Sequence, residues 1–293
     1  MSKVLRISVP LCLLSFLLLS GCAYINIDLA SLMQIQPYEE RVISKGGSEK
    51  VLVLEILGPI TTTAMRDTIR PKQGTLERIE SILEKAEKDK NITGLILRID
   101  SPGGGYTASD LTFRRIVEYR EKHELPVVAC ITNQGTSGAY MVALSADQIV
   151  ALPSSVVGNV GVLLPSISLE GLLDKLGIRN QTLTSGKFKD TGNPLRDMTD
   201  DDRQILEAIV MEFQQNFIER LKERRPVTEQ DLAVIEDGRV MTASAGLKVH
   251  LIDQVGYYEE ALEAMESLSQ VSDPTVVVYR RKGENAGGFY SWP

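Results

Sequence analysis

The sequence is poor in the residues that build metal centres and disulfide frameworks, with three cysteines and two histidines in 293 residues. Metal sites draw on clustered Cys and His, and His123, His250, Cys12, Cys22 and Cys130 form no such cluster, so no metal site is expected. Positive charge is also in deficit: 32 Lys and Arg face 39 Asp and Glu, for a net charge of −7. That balance offers no basic footprint to a phosphate backbone and excludes nucleic acid as an expected partner. Long apolar runs are absent too. The apolar stretch from Ile7 to Ser20 falls short of the roughly 20 residues that a membrane-spanning helix needs. With 43% hydrophobic and 24% charged residues, the chain reads as globular over most of its length.

What is present begins at the N-terminus. Lys3 and Arg6 precede the apolar stretch, which ends in Leu19-Ser20-Gly21-Cys22. A charged start, an apolar core and a small-residue end describe a secretory signal, and the last four residues resemble a bacterial lipobox. Residues 1–21 are therefore expected to be removed, and Cys22 to carry a diacylglycerol lipid that anchors the chain to a membrane outside the cytoplasm. An uncleaved anchor would tether it to the same side. Cys130 is then the one thiol left, in the apolar run Val127–Ile131, and a buried, unreactive role is expected for it.

Residues 22–50 end in Ser-Lys-Gly-Gly-Ser-Glu-Lys, a composition that suits a tether. The folded part is expected over 51–280, with a loosely ordered tail over 281–293. Within it, short apolar runs alternate with helical patterns, which predicts an α/β domain with parallel strands. The strand candidates are Val51–Leu57, Gly94–Ile99, Val127–Ile131, Gln148–Ala151, Gln181–Thr184 and Thr275–Tyr279. Leu76, Ile79, Ile82, Leu83 and Ala86 recur at helical spacing, as do Ile205, Leu206, Ile209, Val210, Phe213, Phe217 and Leu221; both sets predict core-facing stripes. Thr107, Thr199 and Thr228 each precede an Asp by three residues, the pattern of a helix N-cap.

Two segments are unusual chemically. Asp100-Ser101-Pro102-Gly103-Gly104-Gly105 runs a strand into a glycine turn whose N–H groups are free to face a ligand, a developing oxyanion among them; a plain loop fits the same residues. Ser137, in Gln134-Gly135-Thr136-Ser137-Gly138-Ala139, falls between a β run and a small-residue helix, where a hydroxyl is either an exposed nucleophile or an ordinary N-cap.

Five blocks stand in one order along the chain: DSPGGG at Asp100–Gly105, TSGAYMVALSADQIVA at Thr136–Ala151, VGNVGV at Val157–Val162, SGKFKD at Ser185–Asp190 and DGRVMTASAGLKVHLIDQVG at Asp237–Gly256. Together they resemble the signal peptide peptidase A family of the Clp/crotonase superfamily, over about Val51 to Met265. The resemblance implies a fold of repeated β-β-α units with mostly parallel strands, and a serine peptidase that needs no cofactor. It carries the nucleophile onto Ser137 and the general base onto Lys189, the last residue of Gly186-Lys187-Phe188-Lys189. It maps the oxyanion hole onto Gly103, Gly104 and Gly138. Peptide substrates, cleaved signal peptides or other hydrophobic exported peptides, are implied, as is a homo-oligomer whose Ser and Lys come from neighbouring copies. Ala139 and Asn159 depart from the family's usual Gly and Ser, which bears on the depth of the pocket.

A lysine near its ordinary pKa of about 10.4 accepts no proton at neutral pH, so this chemistry demands a dry pocket that lowers it by roughly 3–5 units. Lys187 shares a face with Lys189 in extended chain, and motif register alone selects Lys189. Tyr140 and Phe188 are candidates to line the pocket. Three other readings compete. Gly135–Ala139 is one substitution from a G-x-S-x-G elbow, which with His250 would suit an esterase triad. A crotonase-type enzyme acting on acyl-CoA keeps the fold, but export argues against a cytoplasmic cofactor. A non-catalytic lipoprotein scaffold keeps the fold and loses the chemistry.

Overall fold

The structure, a computed structural model, describes residues 36–63, 73–284 and 288–290. The expected signal peptide, Cys22 and the first part of the tether lie outside the described residues. The fold is a mixed sheet of mostly parallel strands with helices on both faces, in agreement with the expected class.

The strands are β1 (Tyr38–Ser44), β2 (Lys50–Leu57), β3 (Ile92–Ser101), β4 (Val127–Thr136), β5 (Gln148–Ala151), β6 (Val156–Gly158), β7 (Val240–Thr242), β8 (Gln254–Val255) and β9 (Thr275–Arg281). They pair in the order β1-β9-β2-β3-β4-β5-β8, and β6 branches from the end of β4 and carries β7. All neighbours in the central run from β9 to β8 are parallel; β1 on β9 and β7 on β6 are antiparallel. The helices are α1 (Thr75–Ala86), α2 (Tyr106–His123), α3 (Gly138–Ala143), α4 (Glu170–Lys175), α5 (Asp200–Arg224), α6 (Glu229–Ile235), α7 (Ala243–Lys248) and α8 (Tyr258–Ser269).

The central strands read as unbroken apolar runs because both faces are covered. Leu52, Leu54, Leu95, Leu97, Val127 and Ala129 pack with Ile79 and Leu83 of α1 and Ile116 of α2. The alternate residues Val51, Val53, Ile96, Val128 and Cys130 pack with Ala261 and Met265 of α8. Cys130 has the inert burial expected of it, and that burial pushes its thiol up to about 12.

Several expectations are corrected. The sheet starts at Tyr38, inside the segment read as tether, because β1 has the exposed edge of β9 to pair with. Gln181–Thr184 forms no strand, and no ladder partner lies beside it. Helix α2 starts one residue before Thr107, behind Gly105 as its N-cap, so Thr107 caps nothing. Thr199 and Thr228 do cap α5 and α6, each accepting from the N–H three residues on. The stripe on α5 is buried at Phe217, Ile218 and Leu221, but Ile205 and Ile209 nearer its start are exposed. The tail is not wholly loose: Phe289 is buried against Tyr258, with ring centroids 4.2 Å apart.

Candidate active site

Parallel strands β3 and β4 lie side by side and place their C-terminal ends together, with Ser101 in register with Gly135. Open parallel sheets characteristically bind ligands beyond the carboxyl ends of their strands. Here β3 runs into the glycine turn and β4 into Ser137.

The two turns touch at backbone distance. Gly103 has φ +96°, and a β carbon on it would meet the Gly138 nitrogen at 2.7 Å, the Thr136 oxygen at 2.8 Å and the Ser137 Cβ at 3.0 Å. One on Gly138 would fall 2.1 Å from the Ser109 Oγ and 3.3 Å from the Gly104 nitrogen. Only glycine permits that approach. The turn is braced from two sides: Ile60 donates to the Gly103 oxygen at 2.8 Å and accepts from the Gly105 N–H at 3.1 Å, while the Gly103 N–H donates to the buried Ser101 Oγ at 3.1 Å. Gly103 is thereby committed. The Gly104 and Gly138 N–H groups have no acceptor among the described residues, and stand close together. Of the three glycines expected to form the oxyanion hole, these two are equipped to donate.

Ser137 is half-buried and adopts φ 53°, ψ −126°, a conformation that costs a non-glycine residue of order 1–3 kcal/mol and gathers at functional sites. Its side chain makes no cap bond to α3, so the ordinary N-cap reading does not describe it. Its N–H donates to the Gly158 oxygen at 2.9 Å, which ties the turn to β6. Asn159, where the family pattern has Ser, turns its amide to the Gly238 carbonyl at 2.6 Å. Ala139 is buried in the core.

Lys189 is exposed, on an irregular loop, with its backbone N–H bonded to the Gly186 oxygen at 3.1 Å, and no hydrogen bond among the described residues joins it to Ser137. The dry surroundings that the chemistry demands are not supplied by this chain alone. Lys187, its competitor, pairs with Asp201 of α5 and lies over the Phe188 ring, 4.8 Å from the centroid. Among the described residues Lys189 has no ion pair. Nearly every side chain from Leu163 to Lys189 is exposed, with Leu163 at 81% and Leu183 at 98%.

The other candidates resolve differently. Tyr140 is fully buried and donates to the Leu251 oxygen at 2.7 Å, so it belongs to the core rather than to a pocket wall; burial raises its phenol above the ordinary value. Phe188 is exposed. The His250 ring is 2.9 Å from Asp231, the third residue of α6 and the partner of Thr228 in its capping box, and no hydrogen bond among the described residues joins it to Ser137. Sequence reasoning missed Ser101, Ser109 and Ile60, which hold the glycine turn; nothing periodic marks them.

A serine on a strained strand-to-helix turn beside unspent N–H groups is the arrangement that suits a serine hydrolase of the α/β type. The comparisons carry this further. The model of "Peptidase family S49" matches residues 119–272. A proposed protease of Methanocaldococcus jannaschii is 34% identical over 89% of this chain and 83% of its own. A proposed signal peptide peptidase SppA of Enterococcus faecium is 27% identical over 86% and 73%. Among solved structures, a membrane-bound stomatin-specific protease in complex with a substrate peptide is similar at a TM-score of 0.47 and 18% identity, over 79% of this chain and 91% of that one. The chain belongs to peptidase family S49 and is a serine peptidase.

Proposed function

We propose that this serine peptidase is a lipid-anchored endopeptidase of the cell envelope that cleaves hydrophobic exported peptides, signal peptides among them, with Ser137 as nucleophile and Lys189 of a neighbouring copy as general base. The observation that carries the reading is the Ser137 turn, strained and flanked by the free N–H groups of Gly104 and Gly138. Ser137 Oγ attacks the scissile carbonyl and passes its proton to the neutral Lys189 amine. The two N–H groups receive the oxyanion, a contribution worth about 3 kcal/mol per donor in comparable sites. The lysine then protonates the leaving amine, and in its neutral form again it activates the water that hydrolyses the acyl-enzyme.

Assembly supplies what the single chain lacks. An amine in water is protonated at neutral pH, and burial under a second copy is the physical route to a neutral one. The run of exposed apolar side chains around Lys189, Leu183 above all, is a surface that calls for such cover. Anchoring rests on residues 1–22. No helix among the described residues is long and apolar enough to cross a membrane.

The test is complementation. Ser137→Ala and Lys189→Met are each expected to abolish peptide hydrolysis, and mixing the two inactive proteins, with exchange of subunits, should restore turnover in a fraction of the sites. Turnover in Lys189→Met alone would remove the base. Cys22→Ser should release the protein from membranes.

A further inference from the structure

Lys189 stands on a loop with little secondary structure of its own: from Ser185 to Arg196 there is neither strand nor helix. Two ties to the first turn of α5 hold it. On one side of Lys189, the Lys187 ammonium pairs with Asp201. On the other, Arg196 uses its guanidinium twice. Its Nε and Nη2 hold the two Asp190 oxygens at 2.8 and 2.9 Å, and its Nη1 reaches Asp202 at 2.6 Å.

Asp202 is a firm point to tie to. It is buried, accepts from the Thr199 hydroxyl at 2.8 Å and from the Thr191 hydroxyl at 2.7 Å, and closes the capping box of α5. Arg196 holds the carboxyls of both Asp190 and Asp202 below the ordinary range. Two neighbouring acidic groups are spoken for: Glu170 accepts from the Asp197 N–H at 2.6 Å, and the Asp197 carboxylate takes the Ser168 hydroxyl. Both chain positions that flank the Lys189–Phe188 pair are thus fixed to α5, while the Lys189 side chain itself is committed to nothing among the described residues.

We propose that Arg196 is a positioning residue for the general base: by bridging Asp190 on the base loop to the buried Asp202, it fixes the direction in which Lys189 leaves the loop. This rests on the reading of Lys189 as the base. Only a planar fork serves both carboxylates at once, which a lysine does not reproduce. A catalytic group displaced by 1 Å loses rate by roughly 10²-fold, so a loosened loop is felt in turnover before it is felt in substrate binding.

The experiment uses the full-length protein in detergent micelles, a quenched-fluorescence apolar peptide, and the variants Arg196→Gln, Arg196→Lys, Asp190→Asn and Lys189→Met, with melting followed in parallel. Asp190→Asn is the decisive one, since it removes the charged carboxylate that Arg196 grips with two N–H groups and leaves the Arg196–Asp202 contact and the α5 cap in place. In Arg196→Gln and Asp190→Asn, kcat is expected to fall roughly 10- to 100-fold at nearly constant KM. The acid limb of kcat/KM should move about one unit to higher pH, as the loosened amine regains water. Arg196→Lys should not restore it. An acid limb left in place in Asp190→Asn, whatever the loss of rate, would make the network merely structural and overturn the proposal. Turnover in Lys189→Met would overturn the base reading instead, and is distinguished by that variant alone.

Discussion

The Ser137 nitrogen donates to the Gly158 carbonyl across 2.9 Å, and this bond from a neighbouring strand holds the backbone of Ser137 at φ 53°. The conformation is one that glycine adopts freely. Ser137→Gly is therefore expected to relieve about 1–3 kcal/mol of strain, offset by about 0.5–1 kcal/mol from the freer unfolded chain. The net result is a protein about 1 kcal/mol more stable and wholly inactive, which for a domain of this size raises the melting temperature by about 2–4 °C. A variant that melts lower would refute the strain.

Glu55 lies in the buried layer between two arginines, 2.8 Å from Arg98 and 2.6 Å from Arg280. Glu55→Gln removes the carboxylate that both share and should cost about 3 kcal/mol of stability, read as a lower denaturation midpoint. Activity per folded molecule should be unchanged, because the network sits on the α8 face of the sheet, away from Ser137. An unchanged midpoint would contradict this account.

Burial pushes the Cys130 thiol up to about 12, whereas an unfolded thiol ionises near about 8.5. Its contribution to stability is complete below the unfolded value and is lost as pH rises from there toward the folded value, since only the unfolded chain then gains from ionisation. In the native protein at about pH 8 iodoacetamide should leave Cys130 untouched, and modify it in urea. Rapid native alkylation would contradict the burial.

Leu183 is almost fully exposed in the single chain, on the segment that carries Lys189. If a second copy covers this surface, Leu183→Glu should weaken self-association by roughly tenfold, and turnover should fall in step as the enzyme is diluted. Light scattering and activity measured on one dilution series check both. Undiminished association would dismiss this face as the contact.

Much of this was legible in the sequence where one physical signal dominates. Strand β5 was expected with the same ends it has, Gln148 to Ala151, because a buried parallel strand is a short apolar run and nothing else competes there. Strand β4 was expected to stop at Ile131 but continues through Thr132, Asn133 and Gln134 to Thr136. Those polar residues extend the strand toward Ser137 because β6 pairs with its end from Gln134 onward, a long-range contact that carries no periodicity. On α5 the helical stripe was read correctly as a helix and wrongly as core throughout: spacing reports that Ile205 and Ile209 share a face, not what covers it. Ser137 was singled out by motif, and its strand-to-helix context is as expected. The division of labour among Gly103, Gly104 and Gly138 was not, since it depends on which N–H the Ser101 hydroxyl takes. The Arg196 bridge was invisible for the same reason, being a matter of side-chain reach within a loop.

The pairing of β1 with β9 has a mechanical side. Tyr38 stands opposite Arg281 and Ser44 opposite Val276, so tension arriving from the N-terminal direction at Tyr38 would act at one end of this ladder and unzip it pair by pair. Antiparallel ribbons loaded at an end yield at low force, whereas the parallel strands behind them would not bear the load until the ribbon had gone. Strand β1 would then act as a fuse that gives way before such tension disturbs the geometry around Ser137.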